Sequence, residues 1–339
     1  MPGTQAGAPP SPQLFFETVT AFHQTAALKA AIELELFTAI GEGNQTAATI
    51  ARRCQTSERG MRILCDALVI IGFLKKDAAN YSLTQDSAIF LDRKSPAYIG
   101  GSIQFLLSPP SLEGFRELTA AVRKGGTAID HNSTEPEHPM WVDFARAMAP
   151  LMKMPAELIA KLLQADQGQK WKILGLAVGH GLFEITLAHH NPNAEVWAVD
   201  WPSVLEVARE NAAAAGVSGR YHTIPGSAFD VDYGKDYDLV MITNFLHHFD
   251  PPTCEKLLTK IHAALKPGGR AVILEFVPNE DRVSPSIPAH FSLTMLAGTP
   301  GGEAYTFADL QSMLRNSGYS SAENHRLPPT FSNVVIGKK

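Results

Sequence analysis

The run from Ile173 to Gly181 constrains the fold of this chain more than any other segment. It reads Ile-Leu-Gly-Leu-Ala-Val-Gly-His-Gly, so an apolar stretch ends at two closely spaced glycines, and after one predicted helix a second apolar stretch ends at Asp200. In a parallel α/β sheet, glycines after a strand let a ligand approach the backbone, and an acid after the next strand accepts hydrogen bonds from a ribose. The pattern predicts a nucleoside-binding loop. Motifs of this kind usually have an acid where this chain has Gly175.

Strands and helices alternate along the C-terminal half of the chain. Strands are predicted at 172–176, 196–199, 221–224, 238–242 and 271–274, and a short terminal strand at 333–336 follows a helix over 307–317. This alternation predicts an α/β fold with a doubly wound parallel sheet, in which ligands bind beyond the C-terminal ends of the strands.

The region before this sheet has the pattern of a winged helix-turn-helix. Helices are predicted from Thr46 and from Ser57, and a β-hairpin follows at 73–76 and 81–84. Basic and acidic residues are equal in number between positions 12 and 94, whereas DNA-binding surfaces concentrate positive charge. The second helix is apolar nearly all round, which favours burial against protein. We therefore expect a dimerisation module and no nucleic-acid partner.

The composition excludes several other classes of protein. The net charge of −5 argues against a polyanion-binding surface over the whole molecule, because phosphate backbones attract clustered Lys and Arg. The three cysteines provide neither a disulfide framework nor the spacing of a metal site. No apolar run reaches the roughly 20 residues that a membrane span requires. Residues 1–12 lack the features of a signal peptide. We expect a cytoplasmic protein with no membrane partner and no metal.

Three regions follow from these patterns. We expect a winged-helix dimerisation domain over 12–100, a helical linker over 101–168 that contributes to a substrate pocket, and a Rossmann-like domain over 169–339 that binds the cofactor. The end of the linker is rich in methionine, which adapts to flat and variable ligands, although core packing explains part of this pattern equally well.

Glu184 stands where a dinucleotide-binding loop needs a third glycine for helix packing, so the loop reads G-x-G-x-x-E. The rest of the chain indicates another family. Nearly the whole sequence resembles the class I S-adenosylmethionine-dependent O-methyltransferases, in the dimeric group that contains plant caffeic acid-type enzymes and bacterial polyketide and carotenoid O-methyltransferases. The segments that carry the resemblance are Leu174–Gly181, Val199–Pro202, Gly226–Phe229, Asn244–Phe249, Leu265–Gly269 and Pro300–Gly302.

The resemblance implies a homodimeric enzyme that uses S-adenosyl-L-methionine and releases S-adenosyl-L-homocysteine. The cofactor contacts that it implies are Ala177, Gly179, Gly181, Asp200, Trp201, Ser227, Ala228, Phe229, Asn244 and Phe249. The substrate wall that it implies consists of Phe144, Met148, Leu151 and Met295. Because this wall is apolar, we expect an aromatic or otherwise hydrophobic methyl acceptor.

His247 falls on the general base of the family, and Glu275 falls on the acid that orients it. A sulfonium-bound methyl group needs only an aligned nucleophile, and a phenol with a pKa of about 10 attacks well only as its proton leaves. The family has a second orienting acid where this chain has Ala304, with Glu303 one residue earlier. Either Glu303 reaches the base or a single carboxylate holds it. His248 receives no role.

Other functions remain open at this stage. The same histidine suits N-methylation of a heteroaromatic ring. The departures from the family pattern at Gly175, Ser227, Thr243 and Ala304 also allow a non-methylating enzyme, of the cyclase or hydroxylase type, that uses the bound cofactor as a fixed charge. A ligand-responsive DNA-binding protein is a third class. If the glycine at 175 is a defect, the substitution Gly175→Asp should tighten cofactor binding.

Overall fold

A computed structural model describes residues 9–130, 138 and 140–339, and the chain divides into two units, one ending at Ile103 and the other beginning at Gln104. The described part of the first unit contains, in order, α1 (Gln13–Val19), α2 (Phe22–Glu33), α3 (Leu36–Gly41), α4 (Ala47–Arg53), α5 (Glu58–Ile70), β1 (Leu74–Asp77), β2 (Asn80–Leu83) and α6 (Gln85–Phe90).

The element order of a winged helix-turn-helix is confirmed in this unit, since α4 and α5 precede the antiparallel β1–β2 hairpin. Thr46 and Ser57 begin the two helices, and each side-chain oxygen accepts a hydrogen bond from the backbone amide three residues later. Asp66 joins the second helix to the hairpin, because it accepts hydrogen bonds from Lys76 Nζ at 2.6 Å and Tyr81 Oη at 2.8 Å.

Several basic side chains of the first unit are paired with acids of the same unit. Arg53 Nε donates to Glu42 Oε2 at 2.7 Å, and Lys94 Nζ lies 2.9 Å from the other oxygen of that carboxylate. Arg93 Nη1 lies 3.2 Å from Glu35 Oε1. These pairs leave the unit locally neutral, which agrees with the balanced charge of its sequence.

Helix α1 and the start of α2 leave a row of large apolar side chains exposed. Leu14, Phe15, Phe16, Val19 and Phe22 are each more than half exposed. Large contiguous apolar surfaces of this kind usually mark a site that another protein chain covers.

The second unit alternates helices and strands after an initial group of helices. Its elements are α7 (Ile103–Leu106, which begins at the boundary), α8 (Pro109–Arg116), α9 (Leu118–Lys124), α10 (Met140–Leu162), β3 (Lys172–Leu176), α11 (Leu182–His190), β4 (Glu195–Asp200), α12 (Pro202–Ala214), β5 (Tyr221–Pro225), β6 (Tyr237–Thr243), α13 (Pro251–Ala264), β7 (Leu265–Glu275), α14 (Ser286–Gly298), α15 (Phe307–Asn316), β8 (Ser321–Arg326) and β9 (Asn333–Lys338).

The sheet of this unit has the order β5-β4-β3-β6-β7-β9-β8. Strands β3 to β7 are parallel, and β8 and β9 are antiparallel to their neighbours. The chain runs outward from β3 to β5 and then returns to place β6 on the other side of β3. The C-terminal ends of β3, β4 and β6 therefore meet at the switch point where open α/β sheets bind ligands.

Two layers of helices bury the two faces of this sheet. One face carries Ile173, Ala198 and Met241, which share a buried cluster with residues of α10, α11 and α12. The other face carries Leu174 and Ile242, which share a cluster with α13 and α15. Strands buried on both faces are continuously apolar. The predicted strands are confirmed, with ends that differ by at most six residues. The region from α8 to α10 belongs to this same unit, and α10 contributes to its core.

Strand β8 was not expected from the sequence. It lies at the edge of the sheet, and its sequence Ser-Ala-Glu-Asn-His-Arg is polar with four exposed residues. An edge strand with a solvated face lacks the apolar run by which the buried strands are recognised.

Candidate active site

The loop between β3 and α11 leaves its backbone accessible. Ala177, Gly179 and Gly181 have left-handed backbone conformations, with φ of 50°, 55° and 69°. A Cβ at position 181 would lie 2.6 Å from Tyr221 Oη, so a larger residue does not fit there. These left-handed residues turn the chain from the end of β3 to the N-terminus of α11. Because two of them are glycines, a ligand can approach the backbone of the loop closely.

Asp200 holds this loop to the end of β4. Its Oδ2 accepts a hydrogen bond from the Gly179 amide at 2.8 Å, and its Oδ1 accepts one from the Trp201 amide at 2.7 Å. Burial raises the pKa of Asp200 to about 6, although these two amides oppose the shift. Each carboxylate oxygen has a second lone pair, so the group retains acceptor capacity for the two hydroxyls of a ribose.

Three phenylalanine rings form one aromatic cluster beyond the ends of β5 and β6. The rings of Phe229 and Phe249 lie 5.0 Å apart, and Phe245 lies 5.0 Å from Phe249 and 6.2 Å from Phe229. Lys260 of α13 fixes the loop beneath them, because its Nζ donates to the carbonyl of Phe229 at 2.8 Å and to that of Val231 at 2.7 Å. Such a cluster suits the flat face of an adenine.

Of the remaining residues expected at the cofactor, two adjoin this cluster and Trp201 follows β4. Ser227 Oγ accepts a hydrogen bond from the Phe229 amide at 3.1 Å, Ala228 is buried, and Trp201 packs against Val204 and Val207 of α12. The structure also places Phe245 here, which the sequence analysis did not assign, although it lies between two assigned residues.

Asn244 follows β6 in a left-handed conformation, with φ of 53°. Its amide donates to the Leu274 carbonyl at 2.8 Å, and its side-chain Nδ2 lies 3.5 Å from Met152 Sδ of α10. Met152 is a second residue that sequence reasoning did not assign. The contact shows that α10 passes beside the end of β6.

His247 lies in a short 3₁₀ turn, Leu246–His248, and is held by Glu275 at the end of β7. Glu275 Oε2 lies 2.5 Å from His247 Nδ1, and Oε1 accepts from the backbone amides of Phe245, Leu246 and His247 at 3.1, 2.9 and 3.3 Å. A carboxylate with four partners fixes both the turn and the ring. In the neutral tautomer whose Nδ1–H donates to Glu275, Nε2 is the acceptor nitrogen.

Aromatic rings surround the histidine turn. The ring of Phe291 on α14 stands edge-on to His247 at 4.9 Å, and that of His248 lies 4.4 Å from it. Burial, and then the neighbouring His247, lower the pKa of His248. Trp141 of α10 contacts the His248 ring at 5.9 Å. His248 thus packs between aromatic groups, and it remains without a catalytic role.

The turn after α14 answers the question of the second acid. Glu303 Oε1 accepts from Arg282 Nη1 at 2.8 Å near the surface, while Ala304 is 1% exposed. The backbone of Gly302 passes so close to the histidine turn that a Cβ there would overlap the His247 carbonyl. Among the described residues, Glu275 therefore contacts the ring of His247, and Glu303 pairs with Arg282.

The residues expected in the substrate wall lie on two helices of this unit. Phe144 of α10 packs against Trp141 at 5.7 Å, Met148 and Leu151 follow on the same helix and are partly buried, and Met295 of α14 is 5% exposed. A cavity of about 440 Å³ lies next to α14 and is lined by Phe276, Ser286, Ile287, His290, Phe291 and Thr294. Phe291 contacts both this cavity and His247.

The structure changes the interpretation of Gly175. A Cβ at this position would lie 2.5 Å from Glu184 Oε1 and 2.6 Å from Val178 Cγ1. The space that a strand-end side chain would need is therefore filled by a carboxyl group from α11. We now expect Gly175→Asp alone to weaken cofactor binding, which reverses the expectation from the sequence.

Comparisons with known proteins identify the family. A family model described as an O-methyltransferase domain matches residues 115–320, and one described as an O-methyltransferase dimerisation domain matches residues 16–93. The chain belongs to the O-methyltransferase family.

Individual relatives have related names. The chain is 30% identical to 3-hydroxy-5-methyl-1-naphthoate 3-O-methyltransferase from Streptomyces sahachiroi, over 99% of both chains, and 26% identical to the tetracenomycin polyketide synthesis 8-O-methyltransferase from Streptomyces glaucescens, over 94% of both. An O-methyltransferase homologue from Nostoc punctiforme is 56% identical, with a TM-score of 0.93 over 98% of this chain and 100% of that one.

The chain is thus a methyltransferase that uses S-adenosylmethionine, as its family does. The residues at the switch point fit this molecule, since a loop with two left-handed glycines, a carboxylate with spare lone pairs and an aromatic cluster lie side by side. Within the described ranges, no group of three His, Cys, Asp or Glu side chains is arranged to hold a metal ion. Within the same ranges, no helix is long and apolar enough to cross a membrane.

Proposed function

We propose that this protein transfers a methyl group to a hydroxyl of an aromatic, hydrophobic small molecule, with His247 as the general base. The observation that carries the proposal is the contact of 2.5 Å between His247 Nδ1 and Glu275 Oε2, in a turn whose three amides bind the other oxygen of the same carboxylate. This arrangement orients Nε2 as a proton acceptor in a site enclosed by aromatic rings.

The cofactor supplies a methyl group activated by a sulfonium. The protein residues contribute in two ways. They position the acceptor hydroxyl. His247 Nε2 accepts the hydroxyl proton as the new C–O bond forms, so the attacking oxygen gains the character of an oxyanion. Glu275 stabilises the imidazolium that results, as carboxylates do for histidine bases in hydrolytic enzymes.

The acceptor binds, in this proposal, between α10 and α14. The expected wall of Phe144, Met148, Leu151 and Met295 is extended by the cavity at Phe276 and Phe291. Apolar walls on both helices favour a fused or substituted aromatic ring. The names of the two relatives from Streptomyces, which act on a naphthoate and in tetracenomycin polyketide synthesis, support this acceptor class.

The expected assembly is a homodimer formed through the N-terminal unit. Its support is the match to a dimerisation domain over residues 16–93 and the exposed apolar row from Leu14 to Phe22. The neutral, internally paired charges of that unit favour a protein partner over DNA. We also propose that Ala177, Gly179, Gly181, Asp200 and the phenylalanine cluster bind the cofactor.

The test is methyl transfer from labelled S-adenosylmethionine to a panel of hydroxynaphthoates and other phenols of graded pKa. The variants are His247→Gln and, as a matched control, His189→Gln at an exposed position of α11. The first should lower kcat by about 10²- to 10⁴-fold, with a larger loss for phenols of higher pKa, and leave the calorimetric Kd for S-adenosylhomocysteine unchanged. The control should behave as wild type.

Three results would contradict the proposal. Label on a ring nitrogen would establish N-methylation, and turnover without release of S-adenosylhomocysteine would establish a non-methylating enzyme. A loss in His247→Gln that is the same for acidic and weakly acidic phenols would show that the histidine positions the acceptor and does not remove its proton.

A further inference from the structure

Glu184 is the third residue of α11, and its carboxyl group lies beside Gly175 at the start of the glycine loop. The residue is 1% exposed. Side chains of a first helical turn lean back toward the helix N-terminus, so this one reaches over the end of β3. Its Oε1 occupies the space beside Gly175 that a side chain of the strand would fill.

One oxygen of this carboxyl group lacks a partner in the described part of the chain. Glu184 Oε2 is buried and accepts no hydrogen bond from any described residue, and the nearby Tyr221 Oη has no hydrogen-bond partner among them either. A buried polar atom without a partner costs about 1–3 kcal/mol, so the fold retains two such atoms at its ligand loop against a considerable penalty. Burial raises the pKa of Glu184 to about 8, and the neighbouring Asp200 adds to the shift.

The cofactor offers one group that matches this site. S-adenosylmethionine ends in an amino acid, whose ammonium has three donors and a positive charge, while its ribose hydroxyls fit the spare lone pairs of Asp200. The bare loop from Ala177 to Gly181 is where an amino-acid end can approach the backbone.

We propose that Glu184 is the charge partner of the cofactor's amino-acid ammonium, and that it provides from α11 the carboxylate that the strand lacks at Gly175. The proposal depends on the family's cofactor but not on the acceptor or on His247. When the ammonium binds, the Glu184 O–H bond breaks, the proton leaves to solvent, and the carboxylate pairs with the cation.

The first experiment compares two ligands in titration calorimetry. S-adenosylhomocysteine has the ammonium, and 5′-methylthioadenosine has the same nucleoside without the amino-acid end. Glu184→Gln keeps the shape of the side chain but cannot carry a charge. We expect it to weaken S-adenosylhomocysteine by about 10- to 100-fold and to leave methylthioadenosine within about twofold. Weakening of both ligands to the same extent, or of neither, would overturn the proposal.

The second experiment counts protons. At about pH 7, titrations of the wild type in two buffers of different ionisation enthalpy should show release of nearly one proton per S-adenosylhomocysteine bound and none for methylthioadenosine. Release that persists unchanged in Glu184→Gln would assign the proton to another group and refute the role of Glu184.

A reciprocal exchange tests the position of the carboxylate. Gly175→Asp and Glu184→Gly should each weaken S-adenosylhomocysteine by at least about 10-fold, the first by steric overlap and the second by loss of the charge. The double variant moves the carboxylate to the strand and should recover most of the affinity. Additive losses in the double variant would contradict the exchange. Because each readout is binding, the outcome is independent of whether a phenol is methylated.

Discussion

Glu184 should make the second unit lose stability as pH rises, because it folds in its protonated form. Burial raises its pKa from 4.5 to about 8, so between these values the folded chain holds a proton that the unfolded chain has released. Stability then falls with increasing pH, and the effect is complete once the pH exceeds the folded pKa. Glutamine at this position does not titrate, so Glu184→Gln should lack this dependence.

The magnitude follows from the shift. One proton contributes about 1.4 kcal/mol per pH unit. The free energy of unfolding of the wild type should therefore fall by about 3.5 kcal/mol relative to that of Glu184→Gln between about pH 5 and about pH 8, because the proton difference is incomplete at both ends of this range. Asp200 also titrates over part of this range, since its pKa is raised to about 6, but it is present in both proteins, so only its interaction with Glu184 enters the difference.

Urea unfolding followed by tryptophan fluorescence measures this difference in the right part of the chain. All four tryptophans, Trp141, Trp171, Trp197 and Trp201, lie in the second unit with Glu184. The signal therefore reports the unit that contains the carboxyl group and not the N-terminal unit, which avoids the ambiguity of a two-domain transition.

The control is Glu113→Gln, which removes an exposed carboxylate from α8 of the same unit. Its stability should follow the wild-type curve at every pH. If Glu184→Gln also runs parallel to the wild type, then Glu184 titrates as an ordinary surface carboxyl does, and both its protonated state and the proton release on cofactor binding are wrong.

Three further outcomes are expected from the contacts at the site. Glu275→Gln should lower kcat by about 10²-fold, because its NH2 group donates and cannot accept from His247 Nδ1 while its oxygen accepts from the backbone amides. Glu303→Gln should leave kcat within about twofold, and equal losses would reinstate Glu303 at the base. Gly302→Ala should lower both kcat and the urea midpoint, because its Cβ would overlap the His247 backbone. The control Gly298→Ala has open space for its Cβ and should be neutral. Equal effects of the two variants would show that the overlap is relieved elsewhere. Tyr221→Phe removes a buried hydroxyl that has no hydrogen-bond partner among the described residues. It should stabilise the ligand-free second unit by about 1 kcal/mol in urea unfolding. Destabilisation would show that the hydroxyl has a bound partner.

Patterns that are local in sequence predicted most of the fold. Buried parallel strands are continuous apolar runs, and Thr46 and Ser57 have the chemistry of helix caps, so their elements could be read directly. Strand β8 could not be predicted in this way, since an exposed polar edge strand has no continuous apolar run. Its pairing with β9 is a property of the folded sheet.

The site divides in the same way. His247 and Glu275 could be named from motifs, and the structure brings their side chains together. The cavity at Phe276 and Phe291 could not be named, because its walls come from the end of β7 and from α14, and neither segment has a motif of its own. Glu303 illustrates the opposite case, where sequence proximity suggested a role and an ion pair with Arg282 removes it.

Gly175 and Glu184 show why such positions need the fold to be understood. In the sequence they are two unrelated departures, a strand that lacks its acid and a loop that lacks its third glycine. In the structure the carboxyl of one fills the space beside the other. A glycine at 175 is then a requirement of Glu184, because any side chain there would displace the carboxyl. The two departures together place a carboxyl group on α11 and leave the strand without one.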